Sequence, residues 1–172
     1  MNQINKKEAA ELFRLRSAGT LPHIDINGTD FTIDWRLKEL RETASPWNNI
    51  NLKNMEMSRS GEQYLCFYDT VNHREWDFDP DITAPPENVV LLEIPYEVKL
   101  DPYAVAREYG IDPAEFISDY PIEKNLVGIL KPLTESGLPQ VIAENLQKLG
   151  QGLSAGQQSD DQDYTGNRKI GR

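Results

Sequence analysis

The sequence predicts an α+β domain: a mostly antiparallel sheet built from hairpins, packed with an N-terminal helix and a C-terminal group of short helices. Three observations predict it. An Asn-Gly turn stands between two alternating apolar runs. An aromatic-rich run at 63–69 is followed by a turn and a second short run. Two Asp-Pro helix starts lie eleven residues apart in the C-terminal half.

The first helix is read from Asn5 to Ala18. Asn5 is placed to cap it and Glu8 follows three residues later as in a capping box. Leu12, Phe13 and Leu15 supply an apolar side expected to pack on a sheet, and Gly19 stops it. The hairpin comes next. Ile24 and Ile26 on one side of Asn27-Gly28, and Phe31, Ile33 and Trp35 on the other, alternate with polar residues, so one face points to the core. Residues 36–42, RLKELRE, are expected to form one helical turn, and 43–51 a loop rich in Ser, Pro and Asn.

QYLCFYD at 63–69 reads as a strand that turns through 69–73 and returns over Arg74–Phe78. Three prolines between 80 and 88 exclude a central strand there. Val89–Ile94 is a short continuous apolar run, as in a strand covered on both faces. Asp101-Pro102 and Asp112-Pro113 each join an N-cap to a proline at the first helical position, so two short helices follow. A last strand is read at 125–130. A helix follows at 138–149, with Ser136 or Gly137 near its cap and Pro139 in its first turn. One domain over 1–150 and a disordered polar tail over 151–172 complete the reading, because Leu153, Tyr164 and Ile170 offer too little apolar surface to offset chain entropy.

Charge is unevenly placed. The formal net charge is −10. Residues 61–123 carry three Lys or Arg against fifteen Asp or Glu, a net of −12, while the segments on either side each come to +1. A field of that sign repels phosphates and attracts basic partners. A mean hydropathy of −0.60, no apolar run long enough to span a bilayer and no signal-peptide pattern lead to the expectation of a soluble protein with no membrane association. Cys66 is the only cysteine, which rules out an intramolecular disulfide and fits a reducing cytoplasm.

No motif brings a recognisable chemistry. Residues 105–120 have the spacing of a helix-turn-helix, with Ala106, Gly110 in the turn and Phe116 as the expected buried residue. The second helix, however, offers Asp112, Glu115 and Asp119 and no cation, so it reads as a packing pair with no direct nucleic-acid binding. Asp77, Asp79 and Asp81 alternate like calcium-loop ligands, but Ile82 and Asn88 occupy the positions that need Gly and Glu. No metal or cofactor is expected. His23 and His73 read as a sheet-surface residue and a turn residue, and Cys66 as a buried inert thiol.

The expected function is therefore a non-enzymatic accessory or protein-interaction domain that presents an acidic surface to a protein with a basic one. Trp47, Trp76, Asp77, Asp79 and Asp81 are its candidate binding residues, Trp47 as an exposed anchor. Two other readings stand beside it: an acidic mimic of nucleic acid that occupies a DNA-handling protein, and an enzyme using paired carboxylates or a divalent metal.

Overall fold

The computed structural model describes residues 5–152. The described residues fall into two compact units, one that includes 5–77 with 88–132 and another that includes 78–87 with 133–152.

The first unit holds α1 (Lys6–Ser17), a mixed sheet and three short helices. In chain order the strands are β1 (His23–Ile26), β2 (Thr29–Asp34), β3 (Glu39–Glu42), β4 (Asn49–Asn51), β5 (Glu56–Met57), β6 (Gln63–Asp69), β7 (Arg74–Glu75), β8 (Val89–Pro95) and β9 (Leu126–Lys131). The helices α2 (Glu97–Leu100), α3 (Pro102–Glu108) and α4 (Pro113–Asp119) lie between β8 and β9. Across the sheet the order is β4-β3-β2-β1-β9-β8-β6-β5, with β7 on β6. Every pairing is antiparallel except that of β1 with β9.

The predicted hairpin is present. Ile26 pairs with Thr29, leaving Asn27 and Gly28 as the two-residue loop at φ 53° and 86°, the positive values such a turn requires. The Asp25 carboxylate accepts the Gly28 amide across it. Helix α1 is also as read: the Asn5 side chain accepts the Glu8 amide at 2.8 Å, and Gly19 follows at φ 106°. Its anchors lie elsewhere than expected. Phe13 meets the ring of Tyr103 edge-on and Arg16 pairs with Asp101, so the helix is tied to α3 and its cap, and none of its residues is fully buried.

Residues 36–42 form no helical turn. Asp34 accepts the Leu37 amide, Lys38 takes φ 56°, and Glu39–Glu42 runs back as a strand against β2. Leu, Lys, Glu and Arg favour helix, but Leu40 can be buried opposite Ile33 only on a pleated backbone, and that contact decides the outcome. The expected loop at 43–51 likewise ends in β4, where fully buried Ile50 faces Leu40. The second hairpin is shorter than read: β7 stops at Glu75, and β6 spends its full length on β8, from Gln63 opposite Pro95 to Asp69 opposite Val89.

One apolar cluster forms the core of the first unit. Ile24, Ile26, Phe31, Ile33, Leu40, Ile50, Tyr68, Leu92, Ile94 and Leu126 come from seven different strands. The ends of the sheet approach each other, since the Asn48 side-chain Nδ2 donates to the carbonyls of Asn72 and His73 in the β6–β7 turn. In β9, Gly128 sits where an added Cβ would come within 2.9 Å of Leu92 Cδ1 and 3.1 Å of Ile26 Cγ1. Strand β8 buries Val89, Leu91, Leu92 and Ile94, as expected for a strand covered on both faces.

Both Asp-Pro starts behave as read. Asp101 Oδ1 accepts the Ala104 amide and Asp112 Oδ1 the Ala114 amide, with Pro102 and Pro113 at the first helical positions. Asp101 does more than cap, because both of its oxygens also take the Arg16 guanidinium, at 2.8 to 3.2 Å, and it is 1% exposed.

In the second unit a helix, α5, covers 138–152. Ser136 Oγ accepts the Leu138 amide and the Gly137 carbonyl the Val141 amide, so the predicted cap is in place. The helix continues past Gly150, where the sequence suggested a stop. The Asn145 side-chain Nδ2 donates to the carbonyls of Pro80 and Ile82, fastening the proline-rich segment to α5. The rest of the expected tail, 153–172, lies outside the described residues.

Two stability measurements follow from the core. Asp101→Ala removes a helix cap and strands a largely buried Arg16, so urea denaturation should show a loss of about 3–5 kcal/mol. Asp101→Asn, which can still cap, should lose less. Tyr68 is 1% exposed and its hydroxyl has no hydrogen-bond partner among the described residues. Tyr68→Phe should therefore raise stability by about 1 kcal/mol; a loss of that size would mean the hydroxyl is satisfied after all.

Candidate functional site

Two surfaces of the first unit combine exposure with chemistry. The first is the α3–α4 hairpin. Helix α3 buries Pro102, Val105 and Ala106, whereas α4 buries none of its residues. The eleven-residue echo thus places like residues in unlike settings: Val105 is core, and its counterpart Phe116 is only half-buried, stacked on Tyr120 at 4.8 Å between ring centroids. The capping tyrosines of the two helices, Tyr109 and Tyr120, are 68% and 45% exposed, and Ile111 between the helices is also exposed. Asp112, Glu115, Asp119 and Glu123 are exposed on the same segment, and none forms an ion pair among the described residues.

The second is a cleft of about 660 Å³ between the C-terminal end of α1, the β2–β3 turn and α3. Its lining is rich in cations for so acidic a chain: Arg16, Arg36, Lys38 and Arg107 against Asp34 and Glu108. Arg16 lies over the Tyr103 ring at 4.8 Å and Lys38 over the Trp35 ring at 3.5 Å. Glu108 Oε2 accepts the Trp35 indole N–H and the Lys38 ammonium, both at 2.6 Å, and the Lys38 ammonium above all holds its carboxyl below the usual range. Burial would raise Asp34, but the hydrogen bonds from Arg41 and the Leu37 amide, with the nearby charges of Arg41 and Arg36, outweigh it and leave the carboxyl low.

The residues singled out from sequence fall in both units. Trp47 is 81% exposed in the β3–β4 loop. Trp76 is half-buried, edge-on to Phe67 at 5.7 Å, and its amide donates to the Phe67 carbonyl. Asp77 closes the first stretch of one unit, while Asp79 and Asp81 belong to the other, where the Asp79 carboxylate accepts the Asp81 amide. All three are exposed. Among the described residues no three His, Cys, Asp or Glu side chains gather as a metal site. His23 pairs with Asp30 on the sheet surface and His73 occupies the turn at φ 54°. Burial pushes the Cys66 thiol up to about 12, so it stays protonated.

Sequence reasoning passed over Arg36 and Arg107, and it counted the tyrosines among possible interface anchors without singling out the exposed Tyr109 and Tyr120. The echo did carry a signal for the tyrosines, since both stand at the same place in it, one residue beyond the helix, where a large ring has little to pack against. The chain matches no protein-family model, no curated protein and no solved structure. No described helix is long and apolar enough to cross a membrane.

Acid should act on this unit through a defined set of groups. Asp34, Glu42, Asp69 and Glu108 are all held below their ordinary values, Glu42 chiefly by the Asn48 side chain and Asp69 chiefly by the Asn72 amide. A depressed folded pKa adds stability that is present above the unfolded value and lost as pH falls through the folded one. The urea midpoint should be flat above about pH 5.5 and fall below about pH 4.5. Asp34→Asn should make that fall shallower; an unchanged slope would remove Asp34 from the set.

Proposed function

We propose that this chain is a non-enzymatic protein-interaction domain that receives a basic, amphipathic segment of another protein on its α3–α4 hairpin. The exposure of Tyr109, Ile111 and Tyr120 beside four carboxylates without ion-pair partners among the described residues carries this reading. Tyrosine gives a rigid apolar body with a polar tip, the composition of an interface anchor. The carboxylates around it attract lysine and arginine, speed encounter and repel phosphate, so the helix pair is a poor reader of nucleic acid. Helix α4 is available for this role because its packing rests on α3 and consumes none of its residues completely. Cys66 is the only cysteine, so no intramolecular disulfide can form, which suits a reducing cytoplasm.

The test uses a fluorescent Leu/Lys peptide of about 18 residues patterned as an amphipathic helix, with a scrambled peptide of equal charge. Anisotropy should show saturable binding of the patterned peptide. Tyr120→Ala and the double reversal Glu115→Lys with Asp119→Lys should each weaken it about tenfold or more, and Trp47→Ala should not. Equal binding of the scrambled peptide would overturn the proposal, as would insensitivity to the double reversal. Self-association abolished by Tyr120→Ala would also overturn it, by giving the face to a second copy.

A further inference from the structure

The cleft beside α3 points to a ligand of opposite charge, and it uses none of the α4 residues on which the protein-interaction reading rests. Its volume of about 660 Å³ is that of a small-molecule site. Pairing within the cleft decides what is left for a ligand. Asp101 takes Arg16 at 2.8 Å, Arg41 takes Asp34 at 2.8 Å, and Lys38 takes Glu108 at 2.6 Å. Both lining carboxylates are therefore occupied, and two exposed guanidinium groups, Arg36 and Arg107, have no ion-pair partner among the described residues. One projects from the β2–β3 turn and the other from the last turn of α3, so they reach the cleft from separate elements. Leu21, Trp35 and Tyr103 supply apolar surface beside them.

We infer that this cleft binds a small organic dianion, a molecule with an aromatic or apolar body and either a phosphate monoester or two carboxylates, held by Arg36 and Arg107. Guanidinium groups bind planar carboxylates and phosphate oxygens in pairs of parallel hydrogen bonds, so two of them suit a doubly charged head better than a single charge. The body of the ligand lies against Leu21 and Trp35. The lining carboxylates offer little repulsion, because each already accepts a charged donor.

The indole N–H of Trp35 reports on the site, since it lies in the lining and donates to Glu108. In ¹H–¹⁵N spectra of the full chain its resonance, assigned with Trp35→Phe, is followed during titration with phenyl phosphate, benzene-1,2-dicarboxylate, inorganic phosphate and benzyl alcohol. One of the two organic dianions should shift it saturably at or below about 1 mM, and whichever binds more tightly identifies the head group. Arg36→Ala and Arg107→Ala should each weaken that binding about tenfold or more. Both side chains are exposed, so the melting transition should stay in place and separate lost binding from lost folding. The inference is overturned by the absence of saturation to about 10 mM with either dianion, or by equal shifts with benzyl alcohol. It is also overturned by full affinity in both arginine variants, or by inorganic phosphate binding as tightly as phenyl phosphate, which would leave the apolar half without a role.

Discussion

Strand β9 joins two parts of the sheet that sequence order keeps apart. On one side it runs parallel to β1, with Ile24 beside Leu126 and Ile26 beside Gly128; on the other it runs antiparallel to β8. Without it the β1–β4 meander and the β5–β8 group would share no ladder. The insertion depends on the absence of a side chain at Gly128, where Leu92 and Ile26 already fill the space a Cβ would take. Strand β9 follows β8 only after α2, α3 and α4, so those helices form the connection that brings the chain back beside β8. Their capping and proline devices are the local means of doing so in few residues.

Asp101 is buried where that connection meets α1. It begins α3, holds Arg16 at the end of α1, and so fastens the N-terminal helix to the crossover between β8 and β9. Acidity is in part a consequence of such uses. Of the fifteen carboxylates between 61 and 123, Asp69, Glu75, Glu93, Glu97, Asp101 and Glu108 accept hydrogen bonds or ion pairs that hold turns, strands and helices together. Of the others, Asp112, Glu115, Asp119 and Glu123 face outward on α4 and the segment after it, and Glu62, Asp77, Asp79, Asp81 and Glu87 are exposed earlier in the chain. A net charge summed along the sequence counts both kinds alike, although only the second acts on a partner.

Local devices were the legible part of the fold. Asn27-Gly28, the Asn5 cap and both Asp-Pro starts depend on backbone conformations that few residues supply, and each was read in place. The β3 segment was not, because its helical composition is overruled by a contact, Leu40 on Ile33, that exists only once β2 is laid down. The cleft was illegible for a similar reason. Arg16, Arg36 and Arg107 are far apart in sequence, and which of them is neutralised depends on Asp101, a residue that reads only as a helix cap. A region described by sequence as strongly negative therefore borders a site where the spare charges are positive.

The position of those charges limits how an anion could be held there. Arg16 and Arg107 lie in the last turns of α1 and α3, where backbone carbonyls point outward and favour cations. A helix end of that polarity gives an anion no help. Anion-binding loops usually rely on backbone N–H groups at helix N-termini, and here those of α3 and α4 already have carboxylate caps, Asp101 and Asp112. A negative group in the cleft therefore gains nothing from these helix ends and depends on side chains such as Arg36 and Arg107. The α4 face differs in its charge, which is shared among four carboxylates, while Tyr120 carries much of the apolar contact.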